Sequence, residues 1–501
     1  MTEQPTRSRA LRRVQGREDW SLLEELNHVH WWLIISMALG PALGVLTFWI
    51  LGSRAADLGL TSDGVVMAGI FVLAVWYWVS GAIPPFATGI VVIALCAYLL
   101  GLPAELGRPF GLTGAGSAVT GWREFVEVAA APVIILMLGG FTLGAASHKH
   151  GLDAMLARGL LTVFRGGPRR LILGVLLITA VLSMWMSNTA TAAMMVTLVT
   201  PIALRSPEGS AMRRGLLLAV PLGANIGGMG TPIGTPPNAI AFSLLRAEGV
   251  EISFLGWMTF ALPVAMVLLA TAWVFLAFGM GKFGDEAADV ESDQESEVES
   301  VWTARRIVVA LTFVATIVLW VTGRWTGIHM ALAAVLPIAV FPAFRILDRH
   351  DINTLDWDIV LLMAGGLALG AGMSQTGLAG WIVESLPLQS LAPALSLAVF
   401  VVLTTMLATF MSNTAAANLV LPIAIGVAGA SAALGVPQIG VAVALAASVG
   451  MALPVSTPPN AIAFATGHVR TGEFIRSAVL IDATAFVLIM GVALYALPHL
   501  V

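Results

Sequence analysis

The sequence predicts an all-α polytopic membrane protein with eleven transmembrane helices, two re-entrant hairpins and two inverted repeats. Composition, motifs that occur twice, and the distribution of positive charge support this fold class. Of the 501 residues, 58% are hydrophobic and 11% are charged, so the surface has too few charges for a soluble globule. Apolar stretches of about 20 residues, the length that crosses a hydrocarbon core of roughly 30 Å, recur along the chain.

Seven apolar stretches outside the repeated polar motifs predict continuous membrane helices. Each lies between charged or turn-rich breaks. The predicted spans are 31–52, 64–82, 84–102, 131–147, 304–323, 327–346 and 357–376. Residues 1–30 carry five arginines and five acids and show no cleavable secretory signal, so we expect them to form a cytoplasmic segment.

Three blocks of sequence occur twice at a nearly constant spacing. Residues 133–152 parallel 359–378, the tripeptide SNT at 187 returns at 412, and GTPPNAIAF at 234 returns as STPPNAIAF at 456. The near-constant period of these three pairs indicates an internal duplication, which many secondary transporters use to build a site between two halves. Residues 284–300 between the halves contain eight acids and no base, which is typical of a solvated linker.

The segments 171–204 and 390–427 carry the SNT tripeptide at their middle and are too long for one crossing. An arm of about 16 residues extends roughly 24 Å at 1.5 Å per residue and therefore ends near the centre of the membrane. We predict a re-entrant hairpin for each segment. Non-helical backbone at this depth requires protein or a water-filled cavity around it.

The positive charges agree with this topology. If both hairpins return to their own side and the N-terminus is cytoplasmic, 20 of the 25 Lys and Arg residues lie inside, as the positive-inside rule requires. The five outside are Arg54, Arg108, Arg123, Arg246 and Arg324. The first hairpin then enters from the cytoplasm and the second from outside, which makes the halves inverted. We expect a multi-pass protein of the plasma (inner) membrane with its C-terminus outside.

The hairpin tips are candidate sites for a small dianion. Each tip combines a polar tripeptide with the N-terminus of a half-helix, whose free N–H groups attract an anion without Lys or Arg. The residues are Ser187, Asn188 and Thr189 in the first tip and Ser412, Asn413 and Thr414 in the second. The alternative is a hydrogen-bonded patch between helices. The repetition of the tripeptide, each time followed by a proline break, favours a binding site.

The segments 216–245 and 436–467 contain these proline and glycine breaks. Proline removes helical N–H donors, so we expect unwound backbone with free carbonyl oxygens. With Ser and Asn oxygens they form a hard-oxygen set that suits sodium better than zinc or copper. Ser183 lies one helical turn before Ser187 and is a further candidate ligand. The hairpins and the broken segments contain no Asp, Glu or Lys, which favours sodium over proton coupling.

Other classes of function have less support. Cys96 is the only cysteine, so the sequence predicts neither a disulfide framework nor a cysteine metal site. An intramembrane hydrolase would need a base beside one of the serines, and neither tripeptide motif contains an acid or a histidine. A receptor that binds anions without moving them remains open. We expect no organic cofactor and no nucleic-acid partner; the partners are the lipid bilayer and a dianionic substrate.

The two SNT tripeptides, the two PPNAIAF stretches, WVSGAIPPFATGIV (78–91) and the GGFTLG and GGLALG pair resemble the divalent anion:sodium symporter (DASS) family from about residue 30 to the C-terminus. The resemblance implies a homodimer whose protomers each contain a scaffold and a mobile transport part that moves like an elevator. It implies sodium-coupled symport of C4 dicarboxylates such as succinate, malate and fumarate. Sodium-independent dicarboxylate exchange and symport of citrate or sulfate remain alternatives within the family.

The resemblance also assigns residues and domains. It implies sodium ligands at Ser183, Ser187, Asn188, Gly234, Ala408, Ser412, Asn413 and Ser456, with only backbone offered by Ala408. It implies substrate contacts at Ser187, Asn188, Thr189, Thr235, Pro236, Ser412, Asn413, Thr414, Thr457 and Pro458. We expect scaffold helices in 31–130 and 304–356, transport parts in 131–282 and 357–501, and an acidic cytoplasmic linker at 283–303.

Overall fold

The computed structural model describes residues 31–102, 121–164, 166–281, 302–385, 392–430 and 434–500. The predicted segment 1–30 lies outside these residues, as does the acidic linker apart from residues 302 and 303. The described residues form helices and no strand. The helices used below are α1 (Trp31–Gly52), α2 (Ser62–Ser80), α3 (Pro85–Leu95), α4 (Pro132–Lys149), α5 (Leu152–Leu161), α6 (Pro168–Ser183), α7 (Asn188–Ala203), α8 (Ala211–Gly228), α9 (Pro236–Ala247), α10 (Phe254–Val274), α11 (Ala304–Thr326), α12 (Met330–Ala343), α13 (Trp357–Gln375), α14 (Leu378–Ser385), α15 (Pro393–Phe410), α16 (Asn413–Ala430), α17 (Val436–Val449), α18 (Pro458–Ala465) and α19 (Thr471–Gly491).

The outer surface of the helix bundle is apolar. Within the described part of the chain, eight helices are long and apolar enough to cross a membrane. Large side chains such as Trp49, Leu311 and Val487 are 71%, 65% and 67% exposed, as expected of residues that face lipid. The predicted all-α membrane class is confirmed, whereas the count of eleven crossings stays a prediction.

The helices α6 and α7 form a hairpin around residues 184–187. At the start of α6, Arg169 Nε donates to the carbonyl of Ala277, which follows α10 (3.3 Å). After a short connection, α8 begins at the same end of α10, where Arg214 donates to the carbonyl of Met280 (3.3 Å). Both ends of the hairpin therefore lie on one side of the bundle.

The second hairpin and the two broken helices follow the same pattern. Two residues, Met411 and Ser412, join α15 to α16. The break between α8 and α9 covers 229–235, and the break between α17 and α18 covers 450–457. Each second half-helix has proline in its first turn, where the missing N–H has no partner to lose.

The two halves of the chain pack reciprocally. Helix α3 of the first half crosses α13 of the second, and α12 of the second crosses α4 of the first. In the first crossing, a Cβ on Gly365 would lie 2.1 Å from Gly89 Cα; in the second, a Cβ on Gly139 would lie 2.7 Å from the Ala334 carbonyl oxygen. Gly139 and Gly365 occupy the same position of the repeated block, so the two close contacts are equivalent, as duplicated halves predict.

The helix contacts define two groups of helices, and the predicted division into scaffold and transport parts stays a prediction. The sequence places α4 and α13 in the transport parts 131–282 and 357–501. Because both helices pack against α12 and α3, we group α1–α4 with α11–α13 and call this set the framework. The hairpins and broken helices, α6–α10 and α15–α19, pack mainly against one another, and we call them the hairpin body.

Candidate functional site

Three of the predicted sodium residues converge at the first tip. Ser183 Oγ donates to the carbonyl of Ala224 (2.8 Å) and lies 2.5 Å from the side-chain amide of Asn188. With its nitrogen turned toward them, that amide donates to the carbonyls of Gly234 (3.0 Å) and Ala224 (3.3 Å). Ser183, Asn188 and Gly234 therefore meet around one point, together with Ala224, a carbonyl that the sequence analysis did not single out.

The atoms that face this point are mostly acceptors. When the Asn188 amide presents its oxygen instead, four oxygen atoms from Ser183, Asn188, Ala224 and Gly234 surround it. Such a neutral, all-oxygen set is what a hard monovalent cation prefers. The backbone is close as well, since a Cβ on Gly228 would lie 2.6 Å from Asn188 Oδ1. Glycine is therefore required there for the helix break to reach the tip.

Ser187, at the same tip, lies beside an acid that comes from outside the hairpin. Its hydroxyl interacts with the carboxylate of Asp356, the residue that precedes α13. Burial raises the pKa of Asp356, and the hydrogen bond from Ser187 opposes that rise. The predicted segments carry no acid of their own, but the first tip has one beside it that comes from the framework. The sequence analysis missed Asp356 because it lies in the other half of the chain from Ser187.

The second tip is arranged less tightly. Asn413 Oδ1 is buried and has no hydrogen-bond partner among the described residues. Ser412 Oγ accepts from the N–H of Ala415 (3.1 Å), and Ser456 Oγ donates to the carbonyl of Thr409 (2.6 Å). Both serines are therefore engaged with backbone beside the tip, and the unpaired amide oxygen of Asn413 is the group left to bind a ligand.

Ala408 takes the place that Ser183 has in the first half. Ala408 is fully buried and brings no side-chain oxygen. Thr405, one helical turn earlier, directs its hydroxyl to the carbonyl of Ala446 at 3.4 Å. Ala446 is the repeat counterpart of Ala224, so a hydroxyl again meets this carbonyl from one helical turn away. Thr405 was missed because the motif comparison aligned it with no polar residue.

The remaining predicted substrate residues lie at the helix starts around the tips. Thr235 and Thr457 precede α9 and α18 as N-cap residues, with 2% and 3% exposure. Thr414 is buried in the first turn of α16. Thr189, in the first turn of α7, and Pro236 are partly buried, whereas Pro458 is exposed.

Two buried asparagines hold the unwound segments in shape. Asn238 Nδ2 donates to the carbonyls of Met229 (3.1 Å) and Thr231 (2.8 Å). Its repeat counterpart, Asn460, donates to Met451 (2.8 Å) and Leu453 (2.9 Å). The repeated PPNAIAF motif contains both residues, and this repetition is the signal by which sequence analysis could have found them.

Asn225 connects the two halves. Its Nδ2 donates to Asn460 Oδ1 and to Thr457 Oγ1, both at 3.1 Å. The second half has Ala447 at the position of Asn225 and therefore cannot make the reciprocal bond. As a result, Asn238 Oδ1, the counterpart of Asn460 Oδ1, is buried without a partner among the described residues. The duplicated halves are therefore chemically unequal at their centre.

We expect Asn460→Ala to lower the midpoint of thermal unfolding in detergent by several degrees. The change leaves the carbonyls of Met451 and Leu453 and the amide of Asn225 without this partner, and each unsatisfied buried group costs about 1–3 kcal/mol. Asn353→Ala, at an exposed position, is the matched control and should unfold like the wild type. An unchanged midpoint for Asn460→Ala would show that the unwound segment does not depend on this amide.

The two unwound segments are covered unequally. Val455 in the second break is 80% exposed, whereas its counterpart Ile233 is 5% exposed and lies beside Gly140 of α4. The same inequality holds for the prolines that follow, since Pro458 is exposed and Pro236 is not. The second break is therefore exposed at the start of α18, whereas the first break is covered at the start of α9.

The hairpins also sit at different heights on the framework. On α13, Gly366 meets Asn418 and Gly370 meets Pro422. On α4, Gly144, the repeat counterpart of Gly370, meets the tip residue Met186. The equivalent of Met186 in the second hairpin is Met411, which lies about three helical turns before Pro422 in the chain. The first hairpin therefore meets Gly144 with its tip, whereas the second hairpin meets the equivalent Gly370 about three helical turns beyond its tip.

The exposed surface of α7 reflects this displacement. Ala193 and Thr197 are the repeat counterparts of Asn418 and Pro422. Both are exposed, whereas Asn418 and Pro422 are buried against α13. One helix face is therefore covered by the framework in the second half and uncovered in the first.

Comparisons with known proteins place these features among transporters. The family model described as citrate transporter (CitMHS) matches residues 71–439. The sodium-dependent dicarboxylate transporter SdcS of Staphylococcus saprophyticus is 29% identical over 93% of this chain and 91% of its own length. The inorganic phosphate transporter PHO87 of Saccharomyces cerevisiae is 30% identical over 82% of this chain and 45% of its own length. The solved structure of Neisseria gonorrhoeae MtrF, from a class of antimetabolite efflux pumps, is 15% identical with a TM-score of 0.53 and covers 83% of this chain and 96% of that one; this likeness concerns the fold alone.

Proposed function

Because this chain belongs to the citrate transporter family and is a secondary transporter of the DASS type, we propose that it couples the import of a C4 dicarboxylate to sodium. Succinate, malate and fumarate are the proposed substrates. The proposed setting is a homodimer in the plasma (inner) membrane, with the N-terminus in the cytoplasm and the C-terminus outside. The family confirms that the chain is a transporter rather than an enzyme.

The observation that carries the sodium proposal is the cluster of oxygens at the first tip. Ser183, Asn188, Ala224 and Gly234 supply two side-chain and two backbone oxygens around one point. A bound cation there would offset part of the charge of a dianion, whose burial alone would cost too much. The buried, unpaired oxygen of Asn413 is the corresponding group at the second tip.

The N-termini of α7 and α16 supply the anion side of the proposal. Each carries free N–H groups and the positive end of a helix dipole. The substrate residues Asn188, Thr189, Asn413 and Thr414 lie in these first turns. We propose that one carboxylate meets each tip and that Thr235 and Thr457 line the space between them.

The unequal coverage of the halves supports an elevator-type movement. In the proposed movement the two halves exchange environments, and we call the resulting second conformation the mirror state. In the mirror state the Met411 region lies at Gly370 and the Thr197 region lies at Gly144. That change is about three helical turns, or roughly 16 Å at 5.4 Å per turn. In the proposed orientation α18 runs toward the cytoplasm, so the described state has its site open inward, and the movement of the hairpin body against the framework would open it outward.

Uptake into proteoliposomes tests the proposal. We expect labelled succinate to accumulate only when sodium is higher outside, and unlabelled fumarate and malate to compete. Acceleration by preloaded unlabelled succinate without sodium would instead identify an exchanger. If sulfate, citrate or phosphate competes and the C4 acids do not, the substrate belongs to the class of the competing anion. Phosphate must be among the competitors tested because the chain is similar to PHO87.

A further inference from the structure

A large cavity lies apart from the hairpin tips, at the end of the molecule where α9 meets α10 and α11 meets α12. Its volume is about 560 Å³, which is within the range of small-molecule sites. The stacked rings of Phe254 and Trp320, 5.3 Å apart, form part of its apolar wall. Arg246, Arg324 and His329 also line it, and in the proposed orientation it opens to the outside.

The polar groups of this cavity include more donors than acceptors. A guanidinium nitrogen of Arg246 contacts His329 Nε2, while the N–H of Ala331 points to His329 Nδ1 at 3.1 Å. A neutral imidazole can accept at only one of its two nitrogens. The ring therefore cannot satisfy both donors by itself.

Among the described residues, the single acid that lines the cavity does not balance its two arginines. Glu251 is 82% exposed and its Oε1 lies 3.9 Å from Arg246, a distance too long for a hydrogen bond. Arg324 has no ion-pair partner within the described part of the chain. Guanidinium groups bind carboxylates through paired N–H donors, so an anion with several oxygens is the complement that this lining lacks.

The arginines come from different parts of the molecule. Arg246 lies in the last turn of α9 of the hairpin body, whereas Arg324 and His329 belong to the α11–α12 end of the framework. The cavity therefore exists between two parts that we propose to move relative to each other. An anion with two separated carboxylates could bridge them and would hold the described inward-open arrangement.

We propose that this outer cavity is a second binding site for a small dicarboxylate, independent of sodium and separate from the hairpin tips, held by Arg246 and Arg324. The dianion bridges the hairpin body and the framework and rests its carbon chain against Phe254 and Trp320. The choice of a dicarboxylate as the ligand rests on the proposed function. The excess of hydrogen-bond donors in the cavity is independent of that function.

Equilibrium binding of labelled succinate to the purified full-length protein, in a potassium buffer without sodium, tests the site. All variants carry Asn188→Ala, which disables the first tip, and need no transport activity. We expect saturable binding to this parent and to its Arg54→Gln derivative, in which an exposed arginine outside the cavity is changed. We expect Arg246→Gln with Arg324→Gln to abolish this binding, while each single change weakens it about tenfold or more.

Two results would overturn the proposal. One is the absence of sodium-independent binding in the Asn188→Ala parent, and the other is its persistence in the double arginine variant. A thermal unfolding midpoint for the double variant equal to that of its parent shows that lost binding is not lost folding. Failure of sodium-driven uptake in proteoliposomes would refute the proposed function and leave these binding results unaffected, so the two failures are distinguishable.

Discussion

Asn188→Ala and Asn413→Ala should each reduce sodium-driven succinate uptake by about a hundredfold or more. The amide of Asn188 meets Ser183 and the carbonyls of Ala224 and Gly234, and the amide oxygen of Asn413 is buried without another partner among the described residues. A hydrogen bond to a charged group contributes about 1.5–3 kcal/mol, and each 1.4 kcal/mol is a factor of about ten. Loss of two such contacts at a tip is enough for this effect.

Initial rates of labelled succinate uptake into proteoliposomes measure this prediction, with Asn353→Ala as the control for an exposed amide. Both tip variants should elute from a size-exclusion column like the wild type. Retained uptake would show that the tips are not the site. Loss of folded protein would indicate instead that the tripeptides are hydrogen-bonded packing patches between helices.

A disulfide between positions 144 and 186 should stop transport completely. A Cβ on Gly144 would lie 3.6 Å from Met186 Cβ, within the range of about 3.5–4.5 Å that a disulfide requires. In a Cys96→Ser background, Gly144→Cys with Met186→Cys should cross-link under oxidant, because the described state holds these residues together. Uptake should disappear on oxidation and return with a reductant.

A second cross-linking experiment uses the same framework residue, Gly144. Gly144→Cys with Thr197→Cys should cross-link only in the mirror state, in which the hairpin body has moved by about 16 Å, or roughly three helical turns. Sodium and succinate should therefore change the rates at which the two disulfides form, whereas Gly144→Cys alone should be insensitive to oxidant. If the 144–197 disulfide never forms during turnover, the proposed movement along α4 is wrong.

The sequence predicts those features that composition and repetition control. The hairpins follow from the length of their apolar arms, and their observed bounds, Pro168–Ala203 and Pro393–Ala430, differ only slightly from the predicted ones. The broken helices follow from proline and glycine, since Pro236 and Pro458 cannot continue a helix hydrogen-bond ladder. Both kinds of feature depend on local chemistry, which a single sequence contains.

Contacts between distant segments could not be predicted in this way. The approach of Asp356 to Ser187 depends on where the hairpin body lies on the framework, which no local pattern records. The link from Asn225 to Asn460 likewise requires two broken helices to meet. The unequal exposure of Ile233 and Val455 is the clearest case, because nearly identical motifs occupy different surroundings in one conformation, and a repeated sequence predicts equality.

In the proposed transport cycle, the contact between Asp356 and Ser187 makes the two end states electrostatically unequal. The residue that the duplication places opposite the second tip is Ala130, the repeat counterpart of Asp356, and it has no charge. In the proposed movement, an anionic substrate at the first tip lies near the Asp356 carboxylate in the described state, whereas position 130 offers the second tip no such carboxylate in the mirror state. We expect such a carrier to release its cargo more readily inward than outward, so that its half-saturation concentrations differ between influx and efflux even without a gradient.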